Sequence, residues 1–311
     1  MEQLLKDAER IKSLEIQGAT NVALNAIDFL SNYAKRLKCP DIESCIDTLY
    51  KAREILMNTR PTEPAMKNGL KFLMSKLEKE KENCCLEEIP DIIERYKNQY
   101  NEIIQESKKK IAEIGARRFP DTEEKFIVMT HCHSTLVTAI LLEAKKQKKN
   151  FKVINTETQP RLQGRRTTDE LLEAGIEVIH VVDSAMRWAV RHYQVDIILI
   201  GADSITSEGT VLNKIGSRLL ALVAHEENIP FYVCSPLLKY NPETNLGILE
   251  TIEMRDPEEI WENPPEGIQI LNPAFETVSR RYIDGLITEA GIFASSHVPN
   301  YFAKLYPDMI E

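Results

Sequence analysis

The run Ile197-Ile198-Leu199-Ile200 is apolar at every position. A strand with one wet face alternates apolar and polar residues. A run with no polar position fits a strand covered on both faces, and parallel sheets are covered that way because crossover helices lie on each side. Short apolar runs of this kind recur at 126–129, 151–155, 178–182, 231–233 and around 285–288, and helical segments separate them. Strand–helix alternation at this spacing predicts an α/β domain built on a doubly wound, Rossmann-like parallel sheet.

The pattern holds only after Phe119-Pro120. Earlier, the chain reads as helix throughout. Residues 20–37 place Val22, Leu24, Ala26, Ile27, Leu30, Tyr33, Ala34 and Leu37 at helical spacing. Pro40 breaks that helix and Asp41 is placed to cap the next. Residues 64–80 and 89–116 read as further amphipathic helices, and no β-like run precedes residue 125. The expected organisation is a helical N-terminal domain over 1–118 and the α/β domain over 119–311. Residues 254–268, rich in Pro and charge, read as a surface excursion.

Composition narrows the function. The 311 residues carry a formal net charge of −9, which disfavours non-specific nucleic-acid binding. It leaves room for a local anion site, because a few cations can dominate a pocket. No stretch approaches the roughly 20 apolar residues of a membrane helix. The charged, amphipathic N-terminus lacks the apolar core of a signal peptide. The six cysteines, Cys39, Cys45, Cys84, Cys85, Cys132 and Cys234, match no zinc pattern and no disulfide framework. A reducing, cytoplasmic compartment is expected.

Ligands of open α/β sheets bind beyond the carboxyl ends of the strands. The first strand runs into Thr130-His131-Cys132-His133-Ser134, and the second into Thr156-Glu157-Thr158-Gln159-Pro160. The third runs into Asp183-Ser184, and the fourth into Gly201-Ala202-Asp203-Ser204. Each alone is accounted for by a helix cap, Ser184 above all; four together point to a site. His131, Cys132 and His133 do not read as a metal centre. Alternate positions of a continuing strand face opposite ways, and no second cluster supplies the other ligands of a tetrahedral site. Cys132 is either a small buried hydrophobe or a thiol at the start of the helix that begins near Ser134, where a thiolate is favoured.

The segment Gly209–Ser217 is expected to turn into a helix running to about Ala224, with Asn213 and Lys214 in its first turns as an anion site. The plainer reading of Lys214 is a solvated helix lysine. Lys239, after the run 231–233, is a second cation at a strand end. Arg60, in Arg60-Pro61-Thr62 between two helices, reads most simply as a surface residue in a turn. Neither GxGxxG nor GxxxxGK[ST] occurs, so dinucleotide and nucleoside-triphosphate chemistry is disfavoured.

Several stretches together resemble one family. They are THCHS at 130–134, GADSI at 201–205, NKIGS at 213–217, KYNPET at 239–244, EMRDPEE at 253–259 and NPAFE at 272–276, with TRPT at 59–62 and ARRF at 116–119. The family contains the archaeal ribose-1,5-bisphosphate isomerases, the 5-methylthioribose-1-phosphate isomerases and the alpha, beta and delta regulatory subunits of eukaryotic initiation factor 2B. A cysteine at the first strand end is similar to the isomerase branch. The resemblance implies a catalytic base at Cys132 and a catalytic acid at Asp203. It implies substrate contacts at Gln17, Gly18, Ala19, Thr20, Arg60, Ser134, Thr135, Leu136, Asn213, Lys214 and Lys239. It implies no metal or organic cofactor. It also implies a homo-oligomer that dimerises through the C-terminal domain and extends to a hexamer.

The implied reaction converts an aldose 1-phosphate ester to a ketose, with ribose 1,5-bisphosphate giving ribulose 1,5-bisphosphate in nucleotide salvage and AMP metabolism. Asp203 would protonate the ring oxygen, and the Cys132 thiolate would take the proton from carbon 2. Two positions depart from the isomerase pattern. Gln17 stands in Gln17-Gly18-Ala19-Thr20 where the isomerases carry Arg, and Gln159 stands in Glu157-Thr158-Gln159-Pro160 where they carry Arg. Each change removes a bidentate phosphate clamp. They favour the alternative, a non-catalytic regulatory chain that binds a translation factor or a phosphorylated metabolite. Retention of Cys132 with Asp203 favours the enzyme.

Overall fold

A computed structural model describes residues 1–248 and 250–309. The chain divides into two compact units. One comprises Met1–Gln105, Leu238–Tyr240 and Asn300–Glu311; the other comprises Glu106–Leu237 and Asn241–Pro299. Residues 310 and 311, the end of the expected second domain, lie outside the described residues.

The first unit is helical, with α1 (Glu2–Lys12), α2 (Ala19–Ala34), α3 (Ile42–Met57), α4 (Pro64–Glu80) and the start of α5 (Ile89–Ala116). The stripe read from the sequence faces inward, since Val22, Ala26, Ile27 and Leu30 of α2 are fully buried. Burying such side chains contributes about 1.5–3 kcal/mol each. Asp41 caps α3 as expected, its carboxylate accepting from the Ser44 amide at 2.8 Å. The expected boundary at residue 118 lies just past the end of α5, whereas the two units divide within that helix, after Gln105, and residues 238–240 and 300–309 go with the first unit.

The second unit contains β1 (Phe126–Thr130), α6 (Thr135–Lys146), β2 (Phe151–Thr156), α7 (Gln163–Glu173), β3 (Val178–Val181), α8 (Met186–Tyr193) and β4 (Ile197–Ile200). It continues with β5 (Ser204–Ile205), β6 (Val211–Lys214), α9 (Ser217–Glu227), β7 (Phe231–Cys234), β8 (Phe275–Val278), β9 (Gly285–Thr288) and β10 (Gly291–Phe293). A last helix, α10 (Val298–Leu305), follows. Seven strands form one sheet in the order β10-β9-β7-β4-β1-β2-β3, parallel except for β10. All four residues of β4 are buried, as their composition predicts. The expected doubly wound sheet is present, and 254–268 is largely exposed.

Two features were not legible. One is the antiparallel edge strand β10. The other is a small antiparallel sheet, β5-β6-β8, which stands apart from the main sheet. Its strands are two to four residues long and carry no periodicity long enough to read.

Gly164, in the first turn of α7, sets how closely that helix lies on β2. A Cβ there would come within 1.7 Å of the Thr156 carbonyl oxygen, and that oxygen belongs to rigid backbone. Gly164→Ala is therefore expected to push α7 off the sheet and cost about 3 kcal/mol, the upper end of overpacking penalties. Equilibrium urea unfolding of the two proteins measures the difference; an equal midpoint would contradict this packing.

Candidate active site

β1 ends at Thr130, so the strand does not continue through His131-Cys132-His133. Cys132 takes a left-handed backbone, φ 69°, a conformation that costs a non-glycine residue free energy unless its surroundings hold it. Ser134 caps α6, accepting from the Val137 amide at 3.4 Å. Gly201, just after β4, allows the close approach of Ser134. A Cβ at Gly201 would lie 2.8 Å from the Ser134 hydroxyl oxygen. Thr135 is exposed and Leu136 buried at the start of the same helix.

The two flanking histidines are engaged with the protein. His131 Nε2 lies 2.7 Å from the Ile215 carbonyl, which only accepts, so Nε2 carries the proton. Nδ1 then accepts from the Thr156 hydroxyl at 2.6 Å. Burial lowers the His131 pKa, so the ring is neutral. The Thr167 hydroxyl donates to the Cys132 carbonyl at 3.1 Å, so His133 Nδ1 donates to Thr167 at 3.0 Å. No group of three or more His, Cys, Asp or Glu side chains placed to hold a metal occurs among the described residues.

The end of β2 supports the backbone of Cys132. Its amide donates to the Thr158 hydroxyl at 2.9 Å. Thr158 is fully buried and also left-handed, φ 63°. The Asp183 carboxylate accepts from the amides of Thr158 at 2.8 Å and Gln159 at 2.7 Å. Ser184, expected as a helix cap, instead sits in the 3-10 turn Asp183–Ala185 and caps nothing.

Asp203 lies where the chain leaves β4 for the small sheet, and its amide donates to the Leu212 carbonyl at 2.9 Å. It is half-buried. Asn213 and Lys214 are on β6, not in the first turns of a helix; α9 begins only at Ser217. The reason is pairing. Asn213 and Lys214 lie in register with Glu276 and Phe275 of β8, a long-range contact that overrides the local helix signal. Both side chains are buried, at 6% and 7% exposure, so Lys214 is not a solvated lysine. Its ammonium stands 4.7 Å from the centre of the Phe275 ring. Asn213 donates to the Ser217 hydroxyl at 2.8 Å.

The Glu276 carboxylate accepts from the amides of Gly216 at 2.5 Å and Arg218 at 3.0 Å, so it occupies the start of α9. The amides at the start of α9 are therefore taken by Glu276, and of the expected anion-binding features here the Lys214 ammonium is the one this carboxylate does not occupy. Gly216 has φ 102°, and a Cβ there would lie 2.8 Å from the His131 ring.

Burial pushes the Cys132 thiol up to about 11; Lys214 opposes the shift, Asp203 and Asp183 add to it, and the His133 amide eases it by donating to the sulfur. Of the two readings of Cys132, the buried residue is the one that describes its resting state: the thiol is protonated, although it stands at the start of α6. The helix terminus is present, but desolvation outweighs it. Cys132 and Asp203 follow the ends of the adjacent parallel strands β1 and β4.

The remaining residues expected to bind substrate belong to the first unit. Gln17 is exposed and donates to the Leu14 carbonyl at 2.7 Å. Gly18 is the N-cap residue of α2, and Ala19 and Thr20 begin the helix. Arg60 is not a surface residue. It is 8% exposed and pairs with the buried Glu63 at 3.1 Å. Lys239 is half-buried at the end of a 3-10 turn.

Thr158, Asp183 and Glu276 support the site and were not singled out from sequence. Thr158 and Asp183 stand at strand ends and were visible as polar positions, but only the β2–β3 register shows that they meet.

Residues 15–295 match the model of the Initiation factor 2 subunit family. The chain is 37% identical over 314 residues to the ribose 1,5-bisphosphate isomerase of Thermococcus kodakarensis, covering 97% of this chain and 93% of that protein. It is 39% identical to the ribose 1,5-bisphosphate isomerase of Pyrococcus furiosus, covering 97% and 92%. Among solved structures, the translation initiation factor eIF-2B of Pyrococcus horikoshii OT3 superposes with a TM-score of 0.79 at 29% identity, covering 94% of this chain and 98% of that one.

Proposed function

The chain belongs to the Initiation factor 2 subunit family, and from that membership and the site geometry we propose that it converts ribose 1,5-bisphosphate to ribulose 1,5-bisphosphate. It is an enzyme of the sugar-phosphate isomerase class. The observation that carries the reading is that Cys132 and Asp203 stand just past the carboxyl ends of the adjacent parallel strands β1 and β4, with Lys214 buried on β6. A module that only binds has no need of a thiol and a carboxyl so placed.

A phosphate on the anomeric oxygen holds the sugar ring closed, so an acid must open it. Asp203 gives a proton to the ring oxygen as the bond from carbon 1 to that oxygen breaks. Cys132 takes the proton from carbon 2, leaving an enol between carbons 1 and 2. Return of a proton to carbon 1 and loss of the one on the carbon 2 hydroxyl give the ketose, so atoms balance and no net oxidation occurs. The working pair is thiolate with carboxylic acid. It carries the same net charge as thiol with carboxylate, so one proton passing from Cys132 to Asp203 produces both active forms. The α6 terminus and the His133 amide then stabilise the thiolate.

Lys214 and Asn213, with the Ser134 hydroxyl, are the proposed polar contacts from the second unit. Roles for Gln17, Gly18, Ala19, Thr20, Arg60, Thr135, Leu136 and Lys239 in substrate binding rest on the family likeness, as does a homo-oligomer dimerised through the C-terminal domain. The test is direct assay of the purified protein with ribose 1,5-bisphosphate, following the ketose by carbon-13 NMR. Ketose formation is expected. No turnover, together with binding of a translation factor that is indifferent to Cys132→Ser, would establish the regulatory reading, which the Gln at 17 and 159 favours.

A further inference from the structure

We propose that Thr158 and Asp183 are positioning residues for Cys132, an assignment that rests on the isomerase reading above. The Asp183 carboxylate holds the left-handed backbone of Thr158, and the Thr158 hydroxyl holds the left-handed backbone of Cys132.

The argument starts from strain. A β-branched residue rarely adopts φ near 60°, because Cβ crowds its own backbone. Thr158 does so at 63°; Cys132, unbranched at Cβ but still a non-glycine residue for which positive φ is uncommon, stands at 69°. Two such residues, from different strands, are joined by one hydrogen bond, Cys132 amide to Thr158 hydroxyl at 2.9 Å. Strained backbone persists only where its surroundings over-determine it, and such positions cluster at functional sites. Here the restraint is explicit. Asp183 binds two successive amides, those of Thr158 and Gln159. Thr158 is fully buried, so no water replaces its hydroxyl if it is lost.

The result is a fixed thiol. Left-handed backbone at Cys132 turns the chain between the end of β1 and the Ser134 cap. It sets the sulfur against the His133 amide and within reach of Lys214 and Asp203. An extended residue 132 would carry the strand onward and present the side chain elsewhere. The network also continues to the other half of the site. The Thr158 hydroxyl lies 3.5 Å from that of Thr156, which donates to His131, and His131 donates to the Ile215 carbonyl beside Lys214.

Asp183 adds a second effect through its charge. The charges that act on the Cys132 thiol are Lys214 on β6, Asp203 after β4 and Asp183 after β3; the His133 amide donates to the sulfur, and the neighbouring His131 is neutral. Of the three charges, Asp203 and Asp183 disfavour the thiolate. Removing the charge of Asp183 therefore lowers the thiol pKa.

The test uses the intact chain and two independent readouts. Thr158→Val should lower kcat at least tenfold with KM within about twofold, and Thr158→Ser, which keeps the hydroxyl, should restore it. Asp183→Asn should speed alkylation of Cys132 by iodoacetamide at pH 8 several-fold in the ligand-free protein. Peptide mass spectrometry resolves that site, with the fully buried Cys234 as an internal control for loosened structure. The alkaline limb of kcat should shift to lower pH in the same variant. Wild-type kcat in Thr158→Val overturns the proposal, as does an unchanged Cys132 alkylation rate in Asp183→Asn. Equal gains at Cys132 and Cys234 overturn it too, because Asp183 then serves the fold at large. Should the protein not isomerise the bisphosphate, the function reading fails, while the alkylation comparison still decides whether Asp183 sets the state of Cys132.

Discussion

Replacing Cys132 with Ser, or Asp203 with Asn, is expected to cut kcat on ribose 1,5-bisphosphate by about 10³-fold or more while leaving the fold intact. General acid–base groups contribute roughly 10²–10⁴-fold each, and these two act at different atoms of one step. A hydroxyl at position 132 still accepts the His133 amide but has almost no anion at neutral pH. Asn at 203 keeps the shape of Asp and has no proton to give. Neither residue is assigned a phosphate contact, so KM should move little, the signature of an interaction made mainly in the transition state. Circular dichroism and thermal unfolding report the fold, and steady-state kinetics report the loss. Either variant turning over at wild-type rate would remove that residue from the chemistry.

The parts of this structure legible in the sequence are those set by local pattern. Ile197–Ile200 is apolar at every position and stands at the centre of a covered parallel sheet. Asp41 precedes a helical stripe and caps it. Residues 64–80 and 89–116 are helices with those bounds. Cys132 and Asp203 stand out because strand ends in such sheets face the ligand.

What was not legible depends on distant partners. Asn213 and Lys214 sit before a helix, and nothing local says that residues 275 and 276 pair with them as a strand. Arg60 looks like a turn arginine until Glu63 is seen buried against it. The choice between the two readings of Cys132 depends on distant partners too. A helix terminus is visible in the sequence, whereas the desolvation that outweighs it comes from the whole surrounding core. Thr158 and Asp183 were seen separately as polar strand ends, and their joint hold on Cys132 required the register of three strands.

Lys214→Met is expected to reduce kcat/KM at pH 8 by about 10²-fold, and the loss has two separable parts. One is binding. A charge-assisted contact contributes about 1.5–3 kcal/mol, roughly a tenfold to hundredfold change in affinity for a phosphorylated sugar. The other is protonation. Lys214 is the charge that pulls the Cys132 pKa down against burial. Without it the thiol pKa rises beyond its present value of about 11, so less thiolate forms at any given pH. Above the thiol pKa the pair loses its one proton and Asp203 has none to give, so activity falls; that alkaline limb of kcat should therefore move to higher pH in the variant, opposite to Asp183→Asn. The apolar stem of Met keeps the packing against Phe275, whose ring the Lys214 ammonium faces at 4.7 Å, so the fold should hold. Lys214→Arg keeps the charge but spreads it over a planar fork that does not match a site shaped for an ammonium, and partial activity with a near wild-type pH limb is expected. The measurement is a pH series of kcat and KM for the three proteins. A limb that stays in place in Lys214→Met would mean that Lys214 binds phosphate alone and has no part in setting the base.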